Sequence, residues 1–463
     1  MKSVASIIKR IKYIVSLLCM QCVTTHNRTC VQLLVRITNQ KKKPLPKKEI
    51  KKPTCIKPSL VLTYFHIHSS MEEFTRDISL MSTLHIDIIF LIFSHLPIKC
   101  LVRFKTVCKL WFSIISSSDF IKYHLRLNSL SSSNQLLIFS TNHKQSLYAV
   151  FFNSIQSPAM KLSFFNEDLS FSGIAGSCNG LLLCKLNSKT QNPDVCLVNP
   201  STFQYKVIPK LKIPKNYLHI NYGFGYDFIR DDYKIVRIVN FVYEYAYGSI
   251  SNVREVMVYS LRSDSWKFLE EKVTNHVTLA SRNGALVNNH LLHWMFWCTS
   301  MNEHRISSFD VSNEKWGEVS MPNCFENSGI NRENKMNWLI CDGDDKKLDV
   351  VDLGVIGGCL CLLTNNSRRD SGDIDVWIMK NYGFKESWVK LFHVEDFDVT
   401  RSLKLAPIAY FKNGDEILLR QDKDSNVFLY NLRERKVRSV ELLSVPDYYG
   451  VSTCIQSLVP LDG

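Results

Sequence analysis

The sequence predicts a small all-α module followed by a long all-β domain that closes into a propeller of about six blades. Three observations carry this. Between residues 78 and 124 apolar residues recur at helical spacing. From 132 to 460 the period falls to two, and short apolar runs alternate with Asn, Gly, Asp, Ser and Pro clusters. Within that stretch a unit of such runs recurs about every 50 residues, the mark of a repeat whose members bury their faces against each other.

Residues 1–70 differ in kind from the rest. They carry 14 of the 57 Lys and Arg residues and one acid, Glu49. The chain's formal net charge of +14 therefore shrinks to +1 over 71–463, and no nucleic-acid partner is expected for the body. "KKKPLPKKEIKKP" (41–53) is a Lys/Pro run that reads as a disordered, solvated segment. Cys19, Cys22, His26 and Cys30 form C-x2-C-x3-H-x3-C. That resembles a zinc knuckle, whose last two gaps are one residue longer, so no metal is expected. Globular sequence resumes at Met71, and residues 1–70 are expected to be an appended extension.

No apolar run reaches the roughly 18–20 residues needed to cross a bilayer, so no membrane partner is expected. The 15 cysteines show no disulfide-like framework. Several, such as Cys108, Cys184, Cys196 and Cys361, sit inside apolar runs and read as small buried hydrophobes in a reducing compartment.

The helical module has three short periods. The first carries Ile88, Leu91, Ile92 and His95. Leu96-Pro97 breaks it, because proline disfavours helix in the residue before it. Proline suits the start of the next helix, so Ile98 to Phe104 restarts. The third carries Val107, Cys108, Trp111, Ile114 and Ile115, and "SSSD" (116–119) ends it. Large apolar groups, including Ile89, Phe90, Phe93 and Phe112, exceed what three short helices can bury, which marks a partner surface. Trp111 and Phe104 read as internal packing. Lys99, Arg103, Lys105 and Lys109 read as a solvated face.

The segment "LPIKCLVRFKTVCKLWFSIISSSDF" (96–120) resembles the F-box, through Leu96, Pro97, Lys99, Leu101, Arg103, Phe104, Val107, Cys108, Lys109, Trp111, Ile115 and Phe120. The family usually opens Leu-Pro-x-Asp/Glu, whereas this chain has Leu84-His85-Ile86-Asp87, and Leu91 stands where an acid is usual. The resemblance implies docking on a Skp-type adaptor and, through it, a cullin. The residues it assigns to that contact are Ile88, Ile92, Leu96, Pro97, Leu101, Val107, Cys108 and Trp111. The missing proline bears on adaptor affinity rather than on the fold.

In the β region one hairpin recurs. A large residue stands seven positions before another: Val198 and Tyr205, Tyr259 and Trp266, Phe309 and Trp316, Tyr430 and Val437. "VWIMKNYGFKESWVKLF" (376–392) is the same hairpin with a longer turn. Most are preceded by a strand with a Gly or Asn-Gly turn, as in "CNGLLLC" and "GVIGGCLCLL". Six units result, at about 134–165, 172–210, 219–270, 278–320, 352–392 and 405–442. "STCIQSLVPL" is placed to close the ring on the first blade. The recurring aromatics read as packing between blades. Two polar insertions, 240–256 and 323–349, break the repeat and are candidates for recognition.

"GSCNGLLLC" (176–184), "VNPST" (198–202), "YGFGYDFIRDDYKIVRI" (222–238), "VYSLRSDSW" (258–266) and "CIQSLVPL" (454–461) resemble the kelch-like F-box-associated domain of plant F-box proteins. The domains expected are thus a basic extension (1–70), an F-box (78–124) and a propeller-like substrate-binding domain (132–460).

No catalytic arrangement is present: no G-x-S-x-G, H-E-x-x-H or P-loop. Gly223-Phe224-Gly225 lacks the third glycine of a nucleotide loop. "CDGDDKKLD" (341–349) lacks the glycine and glutamate of a calcium loop. His66 and His68 have no third ligand nearby in sequence. No cofactor is expected. By resemblance, the chain is a non-catalytic substrate receptor of an SCF-type ubiquitin ligase, cytoplasmic or nuclear, holding a target protein that the sequence does not identify. The alternatives are a binding protein outside a ligase and a propeller lectin or enzyme.

Overall fold

In a computed structural model of the chain, residues 86–129, 134–141, 145–164, 170–187, 194–212, 217–244, 250–269, 277–279, 283–298, 303–323, 348–366, 374–394, 405–411, 414–421 and 426–462 are described. The expectations for 1–70, for His85 and for most of 323–349 lie outside them. The chain divides into two compact units, 1–130 and 131–463.

The described part of the first unit is helical. The expected three helices are α1 (Ile86–Ser94), α2 (Ile98–Phe104) and α3 (Lys109–Ser116), but Val107 and Cys108 precede the third rather than lie on it, Cys108 being its extended N-cap. Pro97 is extended and is the N-cap of α2, its carbonyl accepting from the amides of Cys100 and Leu101. Phe93, Phe104 and Trp111 form one aromatic cluster, with ring centroids 5.0–5.7 Å apart, that joins all three helices.

A fourth helix, α4 (Ser118–Ser129), follows where the serine run reads only as a stop. The Ser117 hydroxyl closes α3 by donating to the Ile114 carbonyl and opens α4 by accepting from the Phe120 amide at 3.3 Å. Serine thus serves both ends, as its short oxygen allows. Phe120 packs edge-on against Phe90 of α1, and Tyr123 also meets Phe90. Part of the apolar surplus of the three short helices is therefore taken up inside the module.

The second unit is six antiparallel sheets, one per expected repeat. The outer strands of blade 1 are β1 (Gln135–Thr141), β2 (Leu147–Phe151) and β3 (Met160–Leu162). Blade 2 is β4 (Phe171–Cys178), β5 (Leu181–Leu186), β6 (Asp194–Asn199) and β7 (Gln204–Val207). Blade 3 is β8 (Tyr217–Asp227), β9 (Asp232–Glu244), β10 (Ile250–Ser260) and β11 (Ser265–Leu269). Blade 4 has β12 (Val277–Leu279) and β13 (Ala285–Val287), which both pair with β14 (Leu291–Cys298), then β15 (Glu303–Asp310) and β16 (Lys315–Val319). Blade 5 is β17 (Leu348–Ile356), β18 (Cys359–Asn366), β19 (Ile374–Met379) and β20 (Trp388–Val394). Blade 6 is β21 (Leu405–Phe411), β22 (Glu416–Gln421), β23 (Val427–Asn431) and β24 (Lys436–Val440). The last strand, β25 (Tyr448–Ile455), returns to pair with β1 as the inner strand of blade 1. The inner strands β25, β4, β8, β13, β17 and β21 neighbour one another in turn, so the ring is closed by both ends of the domain.

Period two puts alternate residues on opposite faces of each blade. Leu136 and Ile138 of β1 join a core shared with blade 2, while Leu137 and Phe139 join one shared with blade 6. The seven-residue spacing is a cross-strand pair in every case: Val198 faces Tyr205, Tyr259 faces Trp266, Phe309 faces Trp316 and Tyr430 faces Val437. The aromatics do pack between blades. The Trp266 indole also donates to the Pro209 carbonyl, and that of Trp388 to Ser320, which ties each to the chain leaving the preceding blade.

Candidate functional site

The module's outer surface carries exposed apolar groups. On α1, Ile88 is 37% exposed and Leu91 51%, with Ile86 and His95 also open. Ile88, Leu91 and His95 follow helical spacing and form one face. Pro97 is exposed at the corner beyond it, and Val107 and Cys108 are half-buried. Four of the residues assigned to adaptor contact sit differently. Leu101 is fully buried, and Trp111 lies in the aromatic cluster, so both serve the module's own core. Ile92 and Leu96 are also mostly covered. Ile92 alternates with the open face on α1, Leu96 lies just past its end, and helical spacing alone does not say which side turns inward. Leu91, together with Leu110 and Phe112 of α3, is an exposed group that the family assignment passes over.

The corner at Leu96-Pro97 is held from α4. His124 is buried, and its Nε2–H donates to the Leu96 carbonyl at 3.0 Å. Asn128 donates to its Nδ1 at 3.2 Å, and the ring stacks on Phe120. Burial lowers the His124 pKa, so the ring stays neutral and keeps this tautomer.

The propeller's sequence motifs converge on structural latches. Asn179 and Gly180 form a two-residue turn between β4 and β5, both at positive φ, the geometry that Asn-Gly favours. A Cβ at Gly180 would stand 2.4 Å from that of Ser457. Asn199, buried, caps its own turn by accepting from the Ser201 amide, and its Nδ2 donates to the carbonyls of Ser457 and Val459. The segments containing "GSCNG", "VNPST" and "CIQSLVPL" thus meet where the ring closes.

"YGFGYDFIRDDYK" performs the same task between blades 3 and 4. Trp294 occupies the space a side chain at Gly223 would take, 2.6 Å from an added Cβ. The Lys234 ammonium, 4% exposed, bonds Asp227 and Glu314 at 2.8 Å each and the Val311 carbonyl at 3.2 Å, which satisfies all three protons. Arg230 adds bonds to Asp227 and to the Ser312 carbonyl. Burial pushes the Asp227 carboxyl up, but the bonds from Lys234 and Arg230 outweigh this and hold it below the usual carboxylate range. Glu314 is lowered in the same way by Lys234 and Lys267, against burial.

A recurring turn signal escapes notice in the sequence. Asn199, Asp310 and Asn431 each accept from the amides two and three residues on, and the fifth residue of each turn (Phe203, Glu314 and Arg435) has positive φ. Asp227 repeats the pattern with Asp231. The insertion 240–256 extends β9 and β10 into a longer hairpin, paired as far as Glu244 and Ile250. Among the described residues no group of His, Cys, Asp and Glu is placed to hold a metal, and no helix is long and apolar enough to cross a membrane.

Four packed helices with an open apolar face and a closed six-bladed ring define a two-module protein. Comparison with known families agrees. The model of the F-box associated beta propeller domain matches residues 136–461, and that of the F-box domain matches 81–123. This chain therefore belongs to the plant F-box proteins with an F-box-associated propeller. It is similar to F-box protein CPR1 of Arabidopsis thaliana, 29% identical over 82% of this chain and 89% of that one. F-box protein At4g22390 of the same plant is 27% identical over 76% and 84%. F-box/kelch-repeat protein At3g23880, also from Arabidopsis thaliana, is 25% identical over 78% and 91%.

Proposed function

We propose that the chain is the substrate receptor of an SCF-type ubiquitin ligase, acting in the cytoplasm or nucleus. Its F-box docks on a Skp-type adaptor and so on a cullin, and its propeller holds a target protein for ubiquitination. The chain performs no bond chemistry itself. It raises the target's local concentration beside the enzyme that does. The observation that carries this reading is the joining, in one chain, of an F-box with an open apolar α1 face to a closed propeller whose motif residues are taken up in structural latches. Recognition then falls to the polar insertions 240–256 and 323–349, which break the sequence repeat.

A second reading is favoured by one observation. Leu91, where the family usually has an acid, is the most open large apolar group on α1. A changed charge there suits a binding protein that does not join a ligase. Pull-down of purified adaptor with the full chain separates the two, with a consensus F-box protein as control. Retention of the adaptor supports the receptor. Loss of it beside a binding control supports the second reading.

A further inference from the structure

The seam between blades 2 and 3 contains a charge without a counter-charge. Val236 and Ile238 of β9 belong to the core shared with blade 4, so Arg237 between them points to the blade 2 side. Arg237 is 3% exposed, and both terminal nitrogens of its guanidinium are buried without a hydrogen-bond partner. Arginine cannot escape burial by losing its proton. An uncompensated buried charge is strongly destabilising, so such a group calls for an anion. Its cross-strand neighbour is Tyr222 of β8, itself buried. Over the Tyr222 ring, 5.8 Å from its centre, lies the ammonium of Lys185 from blade 2. Tyr222 thus has Arg237 as its cross-strand partner and Lys185 of the neighbouring blade over its ring. Glu255 is on the same face of β10, opposite Val239, yet it does not reach the guanidinium. The connection leaving blade 2 passes along the same seam, where Pro209 receives the Trp266 indole, and it carries exposed Lys210 and Lys212.

We propose that this seam is an oxyanion site. Arg237 holds a carboxylate or phosphate group through paired N–H donors at its floor, as its planar fork allows. Half-buried Lys185, over the adjoining Tyr222 ring, is the second cation that the group meets. The inference does not depend on the ligase reading.

The test is thermal unfolding and titration calorimetry of the full chain with inorganic phosphate, acetate or chloride at matched ionic strength. A saturable rise of several degrees with phosphate or with acetate, above that with chloride, is expected, and the anion that gives it identifies the group. Lys185→Met should weaken that binding by an order of magnitude, and Arg237→Met should abolish it. In chloride, Arg237→Met should unfold no earlier than wild type, because an apolar chain replaces an unpaired charge. Three results would overturn the proposal: no saturable rise above chloride, an unchanged rise in Lys185→Met, or an earlier unfolding of Arg237→Met in chloride. If Arg237→Met fails to fold, the proposal is likewise refused.

Discussion

Single side chains decide how this propeller answers to acid. His293 of β14 is fully buried, with Nδ1–H donating to the Ala285 carbonyl and Nε2 accepting from the Tyr382 hydroxyl at 2.7 Å. Burial lowers its pKa to about 4. An unfolded chain would protonate it near 6.5. The unfolded state therefore binds the extra proton in the window between these values, and stability falls as pH drops through it. His293 contributes on the order of 3 kcal/mol to that fall. His304, also lowered to about 4 by burial, acts in the same direction. Urea unfolding between pH 7 and pH 4 should show the loss, and His293→Gln should flatten it. An unchanged slope would refute the assignment. The ion cluster yields a second expectation. Asp227→Asn leaves the buried Lys234 with Glu314 alone as counter-charge, and should cost about 3 kcal/mol in the same assay.

At the scale of elements, the cap of one helix and the turn of one hairpin matter most. Helix α4 holds the Leu96-Pro97 corner through His124. His124→Ala leaves that carbonyl without its donor and should destabilise the helical module by about 1–3 kcal/mol. His124→Gln keeps a donor and should recover part of the loss, read as helical signal at 222 nm on heating. Gly180 combines positive φ with contact to the closing segment. Gly180→Ala should lower the propeller's unfolding midpoint, whereas the same change at Gly414, positive φ but in open space, should cost less. The elements were unequally readable in the sequence. The hairpins were plain, because a spacing of seven across a four-residue turn places two large residues directly opposite. Helix α4 was hidden, because a serine run that stops one helix also caps the next. The β9–β10 extension reads as an insertion, because Phe241-Val242-Tyr243 interrupts the period of two, although the strand pairing continues to Glu244. The side of α1 that faces inward was not readable either, since Ile88 and Ile92 are equally apolar and only the packing of α4 and α3 distinguishes them.

For the whole molecule, ring closure is the controlling feature. Blade 1 takes its inner strand from residues 448–455, more than 300 residues after β1 begins. A chain ending at residue 446 loses β25, uncovers the edge of β1 and removes the partners of Asn199. Such a chain should lose cooperative unfolding in calorimetry, and retention of a single sharp transition would contradict the closure. The motifs that most resemble the family (Asn199 in "VNPST", Asp227 and Lys234 in "GFGYD…DDYK") turn out to hold the ring together. Residues spent on ring closure identify the fold and leave the target unnamed.

The receptor reading is tested most directly by titration calorimetry of the full chain with purified Skp-type adaptor, comparing wild type with Leu91→Glu, which restores the usual acid on the α1 face. The account predicts one-to-one binding by wild type and tighter binding by the variant. Absence of heat with both, beside a consensus F-box protein that binds, would contradict it.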